Sequence, residues 1–221
     1  MNLWQTLGEP WRVCLELAWE SYCQGSLPIA AVIVDERGII VARGRNRLRD
    51  NDGASNALHR HPLAHAEVNA LLDFPFGELS ASRCTLLTTT EPCPLCVGAA
   101  RMSRVGALTY ASRDAWAGSA ALFETVPYIR QKGIHVTSLA GSPLETCLIA
   151  LQADAHLRYT RAEKELKVPL FFEVWQKVVL TGVAAGERLF ASGVLLDLAR
   201  SGADVQEVVS VIGRTVADVA A

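Results

Sequence analysis

HAE at residues 65–67 and PCPLC at residues 92–96 are the two most informative motifs in this chain of 221 residues. Together they offer one imidazole, two thiols and a carboxylate. Zinc accepts nitrogen and sulfur ligands in tetrahedral geometry, and a catalytic zinc has three protein ligands and leaves its remaining position to water. We therefore predict that Zn²⁺ is bound by His65, Cys93 and Cys96.

The residues around each motif are typical of a helix start. Pro94 suits the first helical turn because its missing N–H would have no partner there, so Cys93 and Cys96 share a helix face beside exposed backbone N–H groups. The positive end of that helix favours thiolate over thiol. Glu67 follows His65 by two residues, and such neighbours do not share a helix face. We therefore predict that Glu67 lies beside the metal, is not a ligand, and moves protons.

A Cys-x-x-Cys pair also occurs in closed structural zinc sites and in redox motifs. A redox pair does not need the His-x-Glu sequence, and a closed structural zinc usually has four protein ligands. The catalytic interpretation is therefore favoured. The competing hypothesis is a zinc-binding scaffold without activity, whose C-terminal helices bind a partner. A carboxylate beside an open coordination position argues against it.

His-x-Glu followed by Pro-Cys-x-x-Cys is the signature of zinc deaminases. On HAEV at residues 65–68, TEPCPLCVGA at residues 90–99 and SRDA at residues 112–115, the chain resembles the cytidine deaminase-like superfamily. The closer resemblance is to the branch of guanine, deoxycytidylate and tRNA-specific adenosine deaminases, and it covers residues 10–140. It implies zinc-dependent hydrolytic deamination with Glu67 as the catalytic acid and base, and association as a homodimer.

The resemblance also suggests three substrate contacts. In the resembled families an asparagine in the position of Asn46 hydrogen-bonds the substrate, although an ordinary turn residue is an equal alternative here. Asp114 matches a segment that lines the pocket mouth in tRNA adenosine deaminases. Trp116 departs from that segment. Its ring either stacks on a base, which is worth about 1–3 kcal/mol per base, or belongs to the core.

Apolar runs bounded by turn residues predict alternating strands and helices. Strands are predicted from short apolar or β-branched runs at residues 29–34, 39–42, 84–89, 107–111 and 134–137. Helices are predicted from apolar periodicity at residues 10–23, 94–103 and 122–132, with one more after His65. Passages from strand to helix to strand indicate an α/β fold. We expect a three-layer α/β/α sandwich around a mixed sheet of about five strands.

Residues 1–140 are predicted to form a zinc-dependent deaminase domain. Residues 141–221 resemble no family as a block, and their apolar periodicity predicts helices at residues 144–159, 171–198 and 205–219. Asp204 suits the N-cap of the last helix. We expect a helical C-terminal extension packed on the deaminase domain. It covers the pocket, forms a dimer surface or binds another protein, and the sequence does not choose among these.

Composition restricts the compartment and the partners. A formal net charge of −2 argues against a basic nucleic-acid platform. Four arginines alternate at positions 43, 45, 47 and 49, and form either a phosphate contact or, as we favour, a solvated strand end. Six cysteines do not suggest a disulfide framework in a chain of this length, and no apolar run suffices to span a bilayer. We predict a cytoplasmic protein without membrane contact.

The sequence therefore predicts a hydrolytic deaminase that acts on an amino-substituted nucleobase, nucleoside or nucleotide, releases ammonia and needs no organic cofactor. The charge balance and the PCPLC sequence, which is similar to that of guanine deaminases, favour a small-molecule substrate. The SRDA segment and the arginine row favour RNA. A tRNA-specific adenosine deaminase that converts adenosine to inosine is therefore the alternative.

Overall fold

A five-stranded mixed sheet forms the middle layer of the computed structural model, which describes residues 3–50, 57–131, 133–162 and 170–221. Its strands are β1 (Ala30–Val34), β2 (Ile40–Arg45), β3 (Thr85–Thr90), β4 (Ala107–Ser112) and β5 (His135–Ser138). They lie in the order β2-β1-β3-β4-β5. Strand β1 is antiparallel to both of its neighbours, whereas β3, β4 and β5 are parallel. Every residue of β1 is buried, as its continuous apolar sequence predicts.

Helices cover both faces of this sheet. The described helices are α1 (Leu3–Thr6), α2 (Glu9–Cys23), α3 (Ala66–Asp73), α4 (Pro94–Ser103), α5 (Leu122–Thr125), α6 (Pro127–Arg130), α7 (Pro143–Ala162), α8 (Leu170–Gln176), α9 (Leu180–Ser192), α10 (Val194–Ser201) and α11 (Val205–Ala220). One face packs against α3 and α4 through an apolar cluster, and the other packs against α2 and α7. The predicted three-layer α/β/α sandwich around a mixed sheet is confirmed.

The C-terminal helices form a further layer outside α7. Helix α7 packs on β4 and against α9, and α9 packs against α11. Glycine permits the close approach of α7 and α9, because a Cβ at Gly186 would lie 2.5 Å from Cβ of Ala153. Since α7 begins beyond residue 140 and yet packs directly on the sheet, it belongs to the second helical layer of the sandwich. The division of the chain at residue 140 stays a prediction.

Two stretches that were each predicted as one helix are divided into shorter helices. The stretch 171–198 contains three helices, α8, α9 and α10. The chain leaves the helical path after Gln176, and Gly193 adopts the left-handed region with φ of +73°. The stretch 122–132 contains the short helices α5 and α6, since Pro127 excludes the α conformation at Val126. Lys132 lies outside the described residues.

Only half of the arginine row forms the solvated strand end that we favoured, since Arg43 and Arg49 are exposed. Arg45 and Arg47 are buried and both pair with the carboxylate of Asp50, at 2.7 Å and 2.9 Å. Arg45 also pairs with Glu20 of α2 at 2.8 Å. A buried carboxylate needs such partners because burial penalises its charge. The ion pairs fix the segment that follows β2, and with it Asn46, beside the pocket.

Three cysteines belong to the core rather than to the metal-binding motifs. None of the six cysteines is disulfide-bonded, and Cys14, Cys84 and Cys147 are buried outside the metal-binding motifs. Burial raises the pKa of Cys147 to about 12, so this thiol is an inert part of the core at neutral pH. Among the described residues, no helix combines the length and the apolar character that a membrane crossing would require.

Candidate metal centre and active site

Two helix N-termini bring the predicted ligands together. His65 is the N-cap of α3, and Cys93 is the N-cap of α4, which begins with Pro94 as predicted. Both N-cap residues have an extended backbone, and their carbonyl oxygens accept the first helical hydrogen bonds, from Asn69 and Val97. Neither side chain caps its own helix. The imidazole and the thiol are therefore both available to bind one metal ion.

The three donor atoms form a nearly equilateral triangle. Nδ1 of His65 lies 3.5 Å from Sγ of Cys93 and 3.5 Å from Sγ of Cys96, and the two sulfurs are 3.6 Å apart. Donors of a tetrahedral zinc, with bonds of about 2.3 Å to sulfur and about 2.0 Å to nitrogen, lie about 3.5 to 3.8 Å from each other. The triangle therefore fits a zinc ion. Within the described part of the chain, it is the group of histidine, cysteine and acidic side chains close enough to hold a metal.

The electrostatics of the triangle also favour a cation. The sulfur–sulfur hydrogen bond with Cys96 lowers the pKa of Cys93 to about 4 against the effect of burial, and the contact with His65 contributes. The same sulfur–sulfur contact and burial raise the pKa of Cys96. A divalent metal ion would deprotonate both thiols outright.

Glu67 lies beside this triangle on the first turn of α3. Its side chain is 3% exposed. Oε1 accepts a hydrogen bond from the Thr88 hydroxyl of β3 at 3.2 Å, and Oε2 accepts one from the Cys96 thiol at 3.2 Å. Burial raises the pKa of Glu67 above its usual range. A carboxyl group whose pKa is raised in this way takes up a proton more readily than an ordinary carboxylate, as a group that both accepts and returns protons requires.

A cavity of about 200 Å³ opens beside these groups. His65, Cys93 and Glu67 line it, and so do the three residues predicted to contact substrate, Asn46, Asp114 and Trp116. Cys96 is fully buried behind the cavity wall. The structure thus brings together the predicted ligands, the predicted acid and base, and the predicted substrate contacts.

Asn46 lies in the wall of the cavity. The turn role that was its alternative accounts for only one end of its side chain. Its Oδ1 accepts a hydrogen bond from the backbone N–H of Leu48 at 3.2 Å, which is a turn-forming contact. Its amide nitrogen donates to no other described residue, although the side chain is 2% exposed. Because a buried amide normally has partners for both of its ends, this nitrogen is a donor available to a ligand in the cavity.

Asp114 accepts hydrogen bonds that fix the conformation of the turn at the pocket mouth. Its Oδ1 accepts hydrogen bonds from the backbone N–H groups of Trp116 and Ala117, both at 3.0 Å, and from the indole nitrogen of Trp175 at 3.3 Å. The carboxylate therefore organises a turn and joins it to α8. Trp116 is 57% exposed at this turn, so its ring is not a core residue. Direct contact of Asp114 and Trp116 with a substrate stays a prediction.

Sequence reasoning missed Glu91 and three residues of the C-terminal helices that line the cavity. Glu91 accepts hydrogen bonds from the backbone of Asp114 and of Ala120, at 3.3 Å and 3.2 Å. The others come from the C-terminal helices: Gln152, His156 and Trp175. A signal was present for two of them. Gln152 and His156 are four residues apart on α7, and with Asp154 they interrupt an apolar run that begins at Cys147.

Several known proteins are similar to this chain over about half of its length. Residues 7–112 match the family of the cytidine and deoxycytidylate deaminase zinc-binding region. The tRNA-specific adenosine deaminase of Haemophilus influenzae is 32% identical over 105 residues, which are 47% of this chain and 56% of that protein. The guanine deaminase of Bacillus subtilis is 34% identical over 103 residues, which are 46% of this chain and 60% of that protein.

Other similar proteins differ more in length. The tRNA(Ile)-lysidine synthase of Deinococcus radiodurans is 36% identical over 107 residues, which are 48% of this chain and 17% of that protein. A solved structure from a study of A-to-I editing by tRNA:A34 deaminases superimposes with a TM-score of 0.50 at 26% identity, and covers 58% of this chain and 95% of that chain. The chain spans less than two thirds of the length of each of the three curated relatives named here.

Residues 7–112 of this chain are thus similar to the zinc-binding region of cytidine and deoxycytidylate deaminases, and to guanine and tRNA-specific adenosine deaminases. The family match ends with β4. Helices α7 and α8, which supply Gln152, His156 and Trp175 to the cavity, lie beyond it.

Proposed function

We propose that this protein is a zinc-dependent hydrolytic deaminase that acts on an amino-substituted nucleobase, nucleoside or nucleotide and releases ammonia. The observation that carries this proposal is the triangle of His65, Cys93 and Cys96 with Glu67 buried beside it at a cavity. A closed structural zinc site has four protein ligands. Three donors next to a carboxyl group and a cavity instead match a catalytic site, which argues against the zinc scaffold without activity.

His65, Cys93 and Cys96 would hold the metal. When bound, zinc lowers the pKa of a coordinated water and so supplies a nucleophile at neutral pH. Glu67 takes a proton from the attacking water and passes it to the ring nitrogen next to the amino-bearing carbon. It then transfers the remaining proton of that water to the amino group, which leaves as ammonia. The ring carbon gains a carbonyl oxygen in exchange, so the reaction needs no organic cofactor.

Hydrogen bonds to Glu67 prepare it for these transfers. The Thr88 hydroxyl fixes one carboxyl oxygen, at 3.2 Å, so the other faces the metal ligands. Burial raises the pKa of Glu67 and so makes the carboxylate a stronger base for the first of these transfers. Asn46 would donate its free amide N–H to an acceptor on the substrate ring, and Asp114 and Trp116 would form the mouth through which the ring enters.

A tRNA-specific adenosine deaminase is the second candidate. It is supported by the similarity to the Haemophilus influenzae enzyme and to the solved tRNA:A34 deaminase structure. The buried state of Arg45 and Arg47 weighs against it, since these guanidinium groups are occupied by Asp50 and cannot reach a phosphate backbone. We therefore favour a small-molecule substrate.

A homodimer in the cytoplasm completes the proposal. The homodimer rests on the resemblance to the superfamily. The location rests on the six unpaired cysteines, because a reducing compartment keeps thiols free.

Ammonia release from the zinc-loaded protein tests the proposed function. The panel contains guanine, adenine and cytosine, their nucleosides and 5′-monophosphates, and an unmodified tRNA. We expect turnover of at least one compound and its loss in Glu67→Ala, with zinc still bound. Turnover restricted to tRNA, with an affinity that falls steeply as salt rises, would establish the second candidate. Full activity of Glu67→Ala, or bound zinc without ammonia release from any compound, would contradict the proposal.

A further inference from the structure

Helix α7 contributes two polar side chains to the lining of the cavity. Gln152 is 1% exposed, and its Nε2 donates a hydrogen bond to Oγ1 of Thr90 at the end of β3, at 3.0 Å. The other end of this amide, Oε1, accepts no hydrogen bond from a described residue. A buried amide with one end held and the other open to a cavity is a positioned acceptor. His156 follows one turn later on the same face.

Helix α8 closes the same side of the cavity. The edge of the Trp175 ring meets the His156 ring at a centroid distance of 5.5 Å and an interplanar angle of 77°. The hydrogen bond from the Trp175 indole to Asp114 joins these two rings to the turn that carries Trp116. Aromatic side chains held by hydrogen bonds and by one another form a fixed surface for a planar ring.

The charges that line the cavity disfavour a phosphate group. Three carboxyl groups, those of Glu67, Glu91 and Asp114, line it, and no lysine or arginine does so among the described residues. Burial and the nearby charge of Arg49 lower the pKa of His156 to about 4, so its imidazole is neutral at pH 7 and offers no positive charge either. At about 200 Å³ the cavity is also smaller than the roughly 300–1,000 Å³ of pockets for drug-sized ligands.

We propose that the C-terminal helices determine substrate specificity: Gln152 hydrogen-bonds the substrate ring opposite the amide donor of Asn46, and His156 with Trp175 forms the wall on which the ring packs. The site accordingly takes an uncharged free base or nucleoside, and discriminates against the 5′-monophosphate and against a base within a polynucleotide. This inference rests on the proposed deaminase function and deepens it, since these three residues lie outside the family match.

Gln152→Leu tests the inference, because leucine has a similar volume and no hydrogen-bonding groups. The values of kcat/KM are measured for guanine, adenine, cytosine, their nucleosides and their 5′-monophosphates. We expect the wild-type protein to prefer a base or nucleoside over its monophosphate by about tenfold or more. In Gln152→Leu, the KM of the preferred compound rises about tenfold and the ranking among the three bases changes. Gln206→Leu, at an exposed position of α11, is the matched control. We expect it to leave both the KM and the ranking of the bases unchanged.

A second variant separates specificity from folding. Gln152→Leu leaves the buried Thr90 hydroxyl without its partner, whereas Gln152→Leu with Thr90→Val removes both hydrogen-bonding groups and is nearly neutral for stability. Both variants are compared with the wild type in zinc content and in thermal unfolding. A general structural defect lowers kcat/KM for every compound in the same proportion, whereas a lost specificity contact changes their order.

Binding provides a readout that does not require turnover. Calorimetric titration of the three free bases into zinc-loaded Glu67→Ala is repeated with Gln152→Leu added. If the wild type releases no ammonia but Glu67→Ala still binds a free base through Gln152, the proposed function fails and the inference survives. An unchanged ranking and affinity in Gln152→Leu overturns the inference, and so does a preference for monophosphates or tRNA, or the absence of binding by every free base.

Discussion

Arg113 and Glu145 form a bidentate ion pair that joins the segment after β4 to the first turn of α7. Nε and Nη2 of Arg113 donate to the two carboxyl oxygens at 2.8 Å and 2.9 Å, and the backbone N–H of Arg113 donates as well, at 2.9 Å. Gly141 donates to the same carboxylate at 2.6 Å. Since Asp114 follows Arg113 directly, this ion pair connects the C-terminal helices to the shape of the pocket mouth.

Glu145→Gln is expected to destabilise the protein by about 1–3 kcal/mol, the usual cost of losing a hydrogen bond to a charged group. Although burial opposes ionisation, the hydrogen bonds from Arg113 and from Gly141 hold the pKa of Glu145 below its ordinary value of 4.5. A carboxyl whose pKa is lowered on folding stabilises the protein above its unfolded pKa, and this contribution is lost as the pH falls through the folded value. The difference between wild type and variant should therefore be constant at neutral pH and shrink below about pH 4.5.

Urea unfolding at a series of pH values measures this difference. The control is Asp197→Asn, because Asp197 and Arg200 form an ion pair whose side chains are 73% and 75% exposed. Such a pair is expected to contribute less than about 1 kcal/mol. Equal effects of the two substitutions would show that the buried pair has no special contribution.

Gly44→Ala is expected to disturb the active site from the far side of α3. A Cβ at Gly44 would lie 2.1 Å from the backbone nitrogen of Ala70 and 2.2 Å from the carbonyl oxygen of Ala66. Helix α3, which carries Glu67, would have to move away from β2. We expect a loss of about 1–3 kcal/mol in stability, as for other overpacked sites, together with weaker zinc binding.

Unfolding free energies and zinc titrations of Gly44→Ala test this close packing. The matched control is Gly213→Ala on α11, where an added Cβ meets nothing within 4 Å. Alanine is favoured over glycine inside a helix by about 1 kcal/mol, so this control should be neutral or stabilising. Tolerance of alanine at both positions would mean that β2 and α3 separate easily.

The sequence predicts the catalytic half of the site better than the specificity half. The cysteine pair of the zinc-binding triangle follows from local rules, because Pro94 starts a helix and the spacing of Cys93 and Cys96 puts both on one face. Gln152 meets Thr90 only after the chain has passed through two further strands and folded α7 onto β4. No periodicity reports such a contact. The polar interruption of α7 at Gln152 and His156 marked these residues, but not the surface that they face.

The pattern of arginines in the sequence did not predict where all of their side chains lie. The alternation of four arginines predicts a common exposed side, yet Arg45 and Arg47 turn inward because Asp50 is buried between them. The predicted continuity of the helix at residues 171–198 was also wrong. The left-handed conformation of Gly193 ends α9 inside an apolar periodic stretch, where tertiary packing outweighs the local pattern.

Removal of the metal should destabilise the protein reversibly. A ligand that binds only the folded state raises the apparent stability in proportion to the logarithm of its concentration over its dissociation constant. We expect a chelator to lower the melting temperature and added zinc to restore it, with about one zinc bound per chain. His65→Ala and Cys93→Ala should abolish both effects.

Cys23→Ala is the control for the loss of a thiol, because Cys23 is exposed and outside the metal-binding motifs. This variant should bind zinc like the wild type. Metal analysis by mass spectrometry and thermal unfolding give the two readouts. Zinc bound at full stoichiometry in His65→Ala would place the metal elsewhere in the chain.

His156 should make the protein less stable in mild acid. Burial and then the charge of Arg49 lower its pKa from 6.5 to about 4, so the folded state favours the neutral imidazole. This contribution is complete above the unfolded pKa of 6.5 and is lost as the pH falls toward 4. Wild-type unfolding free energy should therefore drop between these values, and the drop should be smaller in His156→Gln, which cannot take up a proton. His135→Gln, at an exposed position of β5, controls for the loss of an imidazole. Parallel curves for the wild type and His156→Gln would contradict the prediction, because the buried wall of the pocket would then tolerate a charged imidazole.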